Sequence, residues 1–183
     1  MFINVPDEIR EESYETVRKL KEFGIDVAML SGDTEDIAWD VANQLGIQKV
    51  YANMNPIDKV RRIRKFKKNY NHQTVAFVGD GINDAPVLAR ADIGVAMGGI
   101  GSDAAIEAAD VVLMKDDPKA LVSAIKIARK TNKILWQNII FALGIKVLVL
   151  ILGAFGFANM WEAVFADVGV TVLAVINSTR CLK

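Results

Sequence analysis

Short apolar runs alternate with charged segments along the first two thirds of the chain. The runs are rich in Val, Ile and Ala, and apolar residues recur at helical spacing in the charged segments between them. This alternation predicts βαβ units on a parallel sheet, and therefore an α/β fold. The predicted strands are Ile25 to Leu30, Lys49 to Ala52, Thr74 to Val78, Ile93 to Met97 and Val111 to Met114.

The charged segments predict the helices of these units. Asp7 to Phe23 forms one helix, which the following Gly24 ends. Thr34 is placed to cap a second helix, and Pro56 lies in the first turn of a third that continues to Lys68. A fourth helix is predicted over Ser102 to Ala109.

The pattern changes at Pro118, where a basic helix runs without a breaker into an apolar stretch. That stretch, Ile139 to Ala158, is about 20 residues long, which is enough to cross the hydrocarbon core of a bilayer. A short turn is predicted at Asn159 to Glu162, and Ala163 to Ile176 returns through a second apolar run. The sequence therefore predicts a transmembrane hairpin, with helices over about 134–158 and 160–178. The alternative, a buried helix pair of a larger soluble protein, is disfavoured by the length of the first run.

Positive residues flank both ends of the predicted hairpin. Lys126 to Lys133 precede the first span, and Arg180 and Lys183 follow the second. The positive-inside rule then places both termini in the cytosol. We expect an integral membrane protein of the plasma membrane, with a cytosolic domain over residues 1–130 and the membrane helices over 131–183.

Composition excludes several other classes of protein. Basic and acidic residues both number 22, so no net charge directs the chain to nucleic acid. Cys181 is the only cysteine and His72 the only histidine, which excludes an intramolecular disulfide and a histidine-rich metal cluster. The segment after Met1 lacks the basic start and the apolar run of a secretory signal.

Two ionisable residues lie within the predicted hairpin. At 1.5 Å of rise per residue, Lys146 and Asp167 are roughly 10 and 15 Å deep. Taken singly, the lysine can extend toward the interface and the aspartate can make a polar contact between helices. Charges in lipid are costly, and two of opposite sign at similar depth favour an ion pathway.

A strand followed by two carboxylates predicts a magnesium site. Val75 to Val78 leads into Gly79-Asp80-Gly81, and Asp84 follows four residues after Asp80. Magnesium takes one or two carboxylates and accepts phosphate oxygens at its other positions. The alternative is a capping turn in which both aspartates only accept hydrogen bonds from backbone amides.

A hydroxyl and a lysine accompany this pair of carboxylates. Ser31-Gly32-Asp33 ends the first predicted strand, and Lys59 lies near the start of the third helix. Together they form a set suited to phosphoryl chemistry, in which Ser31 binds phosphate oxygens and Lys59 neutralises charge. The basic run from Arg61 to Lys68 is interpreted as the solvated face of a helix.

These motifs resemble those of the P-type cation ATPases of the haloacid dehalogenase superfamily, in their zinc and cadmium branch. Ser31 to Asp33 is similar to the Thr-Gly-Asp signature, Pro56 to Lys59 to Pro-x-Asp-Lys, and Gly79 to Pro86 matches the hinge signature throughout. In the hairpin the similar segments are Gln137-Asn138-Ile139, Lys146, Asp167 and Asn177 to Arg180.

The resemblance implies a fold, a cycle and a set of site residues. The fold is a Rossmann-like, haloacid-dehalogenase-like partial phosphorylation domain followed by an α-helical hairpin. ATP would phosphorylate an aspartate, and the phosphoenzyme would export zinc, cadmium or lead. The catalytic residues would be Ser31, Gly32, Asp33, Lys59 and Asn83, with Asp80 and Asp84 on Mg²⁺. Asp167 would be a transport ligand and Lys146 its countercharge.

The family's phosphorylated Asp-Lys-Thr-Gly segment does not occur in this sequence. Neither do the nucleotide-binding domain, the actuator domain or the earlier membrane helices of the family. The chain is therefore predicted to be a carboxy-terminal piece that alone neither hydrolyses ATP nor transports metal. Its partners would be lipid, the metal ion and the amino-terminal part of the pump, with no nucleic acid. The alternatives are a non-catalytic, membrane-anchored binding or regulatory module and a membrane-tethered phosphatase.

Overall fold

The structure, a computed structural model, describes residues 9–79, 82–97, 103–115, 117–156 and 160–182. The chain separates into two compact units, Met1–Val122 and Ser123–Lys183. Helix α6 (Lys119–Ala154) continues through that boundary and through residue 130, so the predicted division into domains at residue 130 stays a prediction.

The first unit alternates strands and helices. The strands are β1 Ala28–Leu30, β2 Lys49–Tyr51, β3 Ala76–Gly79, β4 Ile93–Met97 and β5 Val111–Leu113. The helices are α1 Glu11–Glu22, α2 Glu35–Leu45, α3 Pro56–Asn69, α4 Ala85–Leu88 and α5 Asp103–Ala108, with a 3-10 turn at Ile82–Asp84. All of the strand pairs described are parallel, β1 with β2 and, in a separate sheet, β3 with β4 and β4 with β5. The carboxyl ends of β3 and β4 therefore lie at the same edge of their sheet.

Two apolar clusters hold this unit together. The larger one lies between the three-stranded sheet and the helices that pack on it, and its buried members are Ile63, Phe77, Val87, Leu88, Ala96 and Ala105. Leu30, at the end of β1, packs against the same cluster. Full burial of a side chain such as Leu88 contributes about 1.5–3 kcal/mol. The smaller cluster joins α1, α2 and the start of β2 through Val17, Ala42 and Ile47.

The predicted glycine stop after α1 is present as a left-handed cap. Gly24 has φ of 73°, its N–H donates to Lys21 O at 2.9 Å, and Ile25 N–H donates to Leu20 O at 3.0 Å. These are the two bonds of a Schellman motif, which a residue with a side chain makes only at a steric cost. Because Ile25 closes this cap, β1 begins at Ala28 and not at Ile25 as the pattern predicts.

Two other details differ from the prediction. Thr34 occupies the N-cap of α2, but its side chain makes no capping hydrogen bond. Strand β3 begins at Ala76 and not at Thr74, because the Val75 N–H donates to the Asp92 carboxylate at 2.9 Å. The Lys67 ammonium and this amide both lower the pKa of Asp92.

The second unit contains the remainder of α6 and helix α7 (Met160–Ser178), followed by a 3-10 turn at Thr179–Leu182. The predicted turn at Asn159 to Glu162 is wrong for Met160 to Glu162, which form the first turn of α7. Asn159 lies outside the described residues. Two helical segments, one within Lys119–Ala154 and one over Val164–Cys181, are long and apolar enough to cross a membrane.

Candidate functional site

The loop after β1 holds the first predicted group of site residues. Ser31 is buried, its N–H donates to Tyr51 O at 2.9 Å and its carbonyl accepts from Met54 N–H at 3.0 Å. The Ser31 Oγ donates to Asp33 Oδ2 at 2.6 Å and accepts from the Asp33 N–H at 3.1 Å. The hydroxyl proposed to bind phosphate thus already has a carboxylate partner, and it must leave that partner before it donates to a phosphate oxygen.

The loop after β2 supports the loop after β1. Asn53 has a positive φ of 52°, and its N–H donates to Asp33 O at 2.7 Å. A Cβ on Gly32 would meet Met54 O at 3.4 Å, which is ordinary contact. Since asparagine adopts this left-handed conformation more readily than most residues, its place in the loop is compatible with the bond to Asp33. The second loop therefore fixes the backbone of Ser31 to Asp33.

Helix α3 positions the predicted lysine. Asn55 caps the helix by accepting the Asp58 N–H at 2.9 Å, and Pro56 occupies its first turn. Lys59 extends from this turn to Asp84, with 2.9 Å between Nζ and Oδ1. The two side chains are only 17% and 14% exposed. Solvent screens such a pair less than a surface ion pair, so it holds both side chains in place.

Asp84 lies at the carboxyl end of β3, in the 3-10 turn that precedes α4. A Cβ on Gly79, the last residue of β3, would come within 2.9 Å of Asp84 Oδ2. The Asp84 carboxylate therefore occupies space beside Gly79 that a side chain on this residue would otherwise fill. Asn83 is exposed in the same turn. Asp80, the other predicted magnesium ligand, lies outside the described residues.

The donor set at this strand end fits magnesium. Mg²⁺ requires oxygen ligands and is commonly held by one or two carboxylates while it keeps several waters. The Asp84 carboxylate meets that requirement, with one oxygen on Lys59 and the other in the space that glycine leaves. Among the described residues, no cluster of three or more His, Cys, Asp or Glu side chains is placed to hold a metal ion.

The predicted site residues of this unit come together as two pairs. Ser31 is bonded to Asp33, and Lys59 is bonded to Asp84. Met54, which is bonded to Ser31, immediately precedes the Asn55 cap of the helix that carries Lys59. The sequence places these residues at strand ends and at a helix start but does not indicate either pairing, because both depend on the conformations of the loops.

The two membrane-length helices contain the second predicted site. Lys146 on α6 and Asp167 on α7 form an ion pair with 3.2 Å between Nζ and Oδ1. Their side chains are 61% and 60% exposed in the protein alone, so other groups have access to the pair. The structure therefore brings together the two charges that the apolar runs contain.

A further polar cluster in this unit was not predicted as a contact. Asn138 on α6 bonds Asn177 and Ser178 on α7, and Arg180 bonds Asn177. The sequence signal consists of two asparagines, Asn138 eight residues before Lys146 and Asn177 ten residues after Asp167. Their spacing alone does not show that they are in contact.

Known proteins match this architecture in both units. The haloacid dehalogenase-like hydrolase family matches residues 2–92. The cadmium, zinc and cobalt-transporting ATPase of Bacillus subtilis is 56% identical over 99% of this chain and 26% of its own length. The zinc-transporting ATPase of Synechocystis is 52% identical over all of this chain and 25% of its own length. The chain belongs to the heavy-metal-transporting P-type ATPases. It corresponds to their carboxy-terminal part and spans about a quarter of the length of these two relatives.

A solved P-type ATPase shows the same fold. The crystal structure of a zinc-transporting PIB-type ATPase in an E2.Pi state superposes with a TM-score of 0.90 at 38% identity, over 97% of this chain and 28% of that one. This match confirms the predicted fold class, a parallel-sheet haloacid-dehalogenase-like domain followed by two long apolar helices.

Proposed function

We propose that this chain is the carboxy-terminal part of an ATP-driven pump that exports zinc, cadmium or lead. The observation that carries the proposal is the ion pair between Lys146 and Asp167 on two membrane-length helices. A charged pair in lipid is costly, and intramembrane charges of this kind mark ion pathways. The names of the relatives, which are zinc- and cadmium-transporting ATPases, support the same assignment.

Each member of the pair has a separate role in this proposal. Asp167 supplies a carboxylate to the metal ion, which displaces Lys146 from it. Lys146 then returns to Asp167 after the metal leaves, so the carboxylate does not remain unpaired in a low-dielectric environment. The exposure of both side chains in the hairpin supports an exchange of partners.

The proposed phosphoryl site is at the carboxyl ends of β1 and β3. Ser31 binds phosphate oxygens after it leaves Asp33, and the rigid loop that holds Gly32 and Asp33 orients it. Lys59 stabilises negative charge on the phosphoryl group, and Asn83 lies exposed in the turn beside it. Asp80 and Asp84 would hold Mg²⁺, which would supply further neutralisation of the phosphate charge.

The chain acts as part of a larger protein. The sequence contains no Asp-Lys-Thr-Gly segment, so the phosphorylated aspartate and the ATP-binding domain come from the rest of the pump. Alone, the chain neither hydrolyses ATP nor transports metal. A covalent phosphoenzyme on the isolated chain would contradict this statement.

The membrane arrangement completes the proposal. Both ends of the hairpin are cytosolic, because basic residues lie before α6 becomes apolar and after α7 ends. The pump lies in the plasma membrane and moves metal out of the cytosol.

The test is metal-stimulated ATP hydrolysis by a full-length pump that carries this sequence. Asp167→Ala should abolish stimulation by zinc, because the metal loses its carboxylate, while phosphorylation by inorganic phosphate should persist. Glu162→Ala removes an acid from the same helix outside the pair and is the matched control. Zinc stimulation that is unchanged in Asp167→Ala would refute the transport role.

A further inference from the structure

A polar cluster joins α6 and α7 on the side of the ion pair away from the connection between the helices. The Asn138 Nδ2 donates to Ser178 Oγ at 2.9 Å and to Ala174 O at 3.2 Å. The Asn138 Oδ1 accepts from Asn177 Nδ2 at 2.8 Å, and the Asn177 Oδ1 accepts from Arg180 Nη1 at 3.1 Å. One side chain of α6 thus makes three hydrogen bonds to three successive positions on one side of α7.

The cluster and the ion pair belong to one antiparallel register. Moving eight residues along α6, from Asn138 to Lys146, moves the contact seven residues back along α7, from Ala174 to Asp167. Eight residues correspond to about 12 Å of helix. Both sets of contacts therefore depend on the same alignment of the two helices.

Apolar packing alone does not define that alignment well. The side chains of α7 on this side are small or branched, with Ala166 and Ala174 half-buried and Val170 buried. Lipid tails are as apolar as these side chains, so helix association in a membrane depends on close packing and on hydrogen bonds between helices. A slip of one turn would move Asp167 by about 5.4 Å, well beyond its 3.2 Å contact with Lys146.

We propose that Asn138 is a positioning residue for the intramembrane site. Its hydrogen bonds to Ala174, Asn177 and Ser178 fix the register of α7 on α6 and so hold Asp167 within reach of Lys146. The register itself is a property of this chain. The effect on metal rests on the proposed transport function.

The register can be measured by disulfide cross-linking of this chain in membranes, without any activity. With Cys181 replaced by serine, Ala142→Cys is combined in turn with Ala166→Cys, Val170→Cys or Ala174→Cys. In the register described, position 142 lies opposite position 170, so that pair should form the dominant cross-link. Asn138→Leu, which keeps the size of the side chain but loses all three hydrogen bonds, should shift cross-linking toward positions 166 and 174. Asn138→Gln retains the donors and the acceptor and should restore the original pattern.

The consequence for the site is measured in a full-length pump that carries this sequence. Asn138→Leu should raise the zinc concentration for half-maximal ATPase activation about 10- to 100-fold, the usual effect of losing a group that orients a metal ligand. Phosphorylation by inorganic phosphate should stay unchanged, and Asn138→Gln should recover most of the zinc response. Gln137→Ala, which removes the neighbouring exposed amide, is the matched control and should behave as wild type.

Two results would overturn the proposal. One is a cross-linking pattern that Asn138→Leu leaves unchanged, and the other is a shifted pattern with an unchanged zinc response. If Asn138→Leu does not fold, Asn177→Leu combined with Ser178→Ala removes both side-chain partners of Asn138 from the other helix, and the same outcomes apply. Failure of the transport function itself is seen separately, as zinc activation that survives Asp167→Ala.

Discussion

Asp84 is the residue at which three parts of the proposed phosphoryl site meet. Its Oδ1 accepts from Lys59 of α3, and its Oδ2 lies where a side chain on Gly79 would otherwise be. A carboxylate in this position both neutralises the half-buried lysine and offers an oxygen to a cation. A substitution of Asp84 therefore changes the charge balance of Lys59, the packing beside Gly79 and the proposed magnesium ligand.

Asp84→Asn in a full-length pump should reduce magnesium-dependent phosphoenzyme formation by about 100-fold or more, comparable to the loss of one preorganised charge-stabilising group. The physical reason is that an amide is a poor magnesium ligand and leaves Lys59 without its counter-charge. The measurement is phosphoenzyme formation as a function of magnesium concentration. Asp36→Asn, which alters an exposed acid of α2 outside the site motifs, should leave it unchanged. A wild-type magnesium response in Asp84→Asn would contradict the site.

At the residue scale, the sequence predicted the candidate residues of the proposed phosphoryl site but not how they are bonded to one another. Ser31, Lys59 and Asp84 follow from motifs at strand ends and helix starts. The bond from Ser31 to Asp33 and the pair of Lys59 with Asp84 are absent from that prediction. Each depends on side-chain rotamers and on loop backbones such as the left-handed Asn53, for which a linear pattern contains no signal.

Strand β4 is the element on which the three-stranded sheet depends most. It is the central strand, paired with both β3 and β5. Gly94 in this strand is buried, and its N–H and carbonyl are both bonded to Asp110, at 2.8 and 2.9 Å. A Cβ there would come within 2.7 Å of Leu88 O, a backbone atom that cannot move without moving α4.

Gly94→Ala should therefore destabilise the first unit by about 1–3 kcal/mol, the usual cost of overpacking. The measurement is urea unfolding followed by the fluorescence of Trp39, in a background where Trp136 and Trp161 are phenylalanine. Ile93→Val, at the half-exposed neighbouring position, should change stability by about 0.5 kcal/mol or less. Equal stability of the two variants would show that α4 does not pack as described.

The pairing of Glu15 in α1 predicts a pH dependence of the first unit. Bonds from Lys19 and from Lys119 lower the pKa of Glu15 from 4.5 to about 2. A carboxyl whose pKa is lowered by folding stabilises the folded state above its unfolded pKa. That stabilisation should be lost as the pH falls from about 4.5 to 2.

Glu15→Gln should flatten the loss of stability across this pH window, as measured by urea unfolding at stepped pH. Glu11→Gln removes an equivalent exposed charge from the same helix and should retain the wild-type slope. The effect is small and should weaken in high salt, because the pair is accessible to solvent. Identical slopes for wild type and Glu15→Gln would contradict the ion pairs.

At the element scale, hydrophobic periodicity predicted each of the five strands in the described part of the chain and most of its helices, because burial repeats along each element. The ends were less predictable. Ile25 closes the cap of α1, the Val75 amide bonds the Asp92 side chain, and Met160 begins α7 where a turn was predicted. In the first two cases a local hydrogen bond lies at the boundary, and apolar patterns contain no signal for such bonds.

The whole molecule combines a parallel-sheet, haloacid-dehalogenase-like unit with two helices long enough to cross a membrane. The sequence predicted this combination because an apolar run of sufficient length cannot be part of the α/β pattern that precedes it. The sequence does not determine how two helices align along each other. The contacts of Asn138 with α7 could therefore be identified only from the structure.

The proposed orientation predicts which face of the membrane exposes Cys181. This half-exposed cysteine follows α7 and should react with a membrane-impermeant maleimide in inside-out vesicles and not in right-side-out vesicles. Phe155→Cys, introduced with Cys181→Ser, lies in the turn after α6 and should show the opposite pattern. Labelling of both positions from one side would show that the hairpin does not span the membrane.

The central claim has two parts. The ion pair in the hairpin is the transport site, and residues at the strand ends of the first unit take part in the phosphorylation by ATP that drives transport. ATP-driven zinc uptake into inside-out vesicles that contain a full-length pump with this sequence tests both parts. Wild type should accumulate zinc. Asp84→Asn should lose both phosphorylation by ATP and uptake, whereas Asp167→Ala should keep phosphorylation by inorganic phosphate and lose uptake. Zinc accumulation at the wild-type rate by Asp167→Ala would contradict the account.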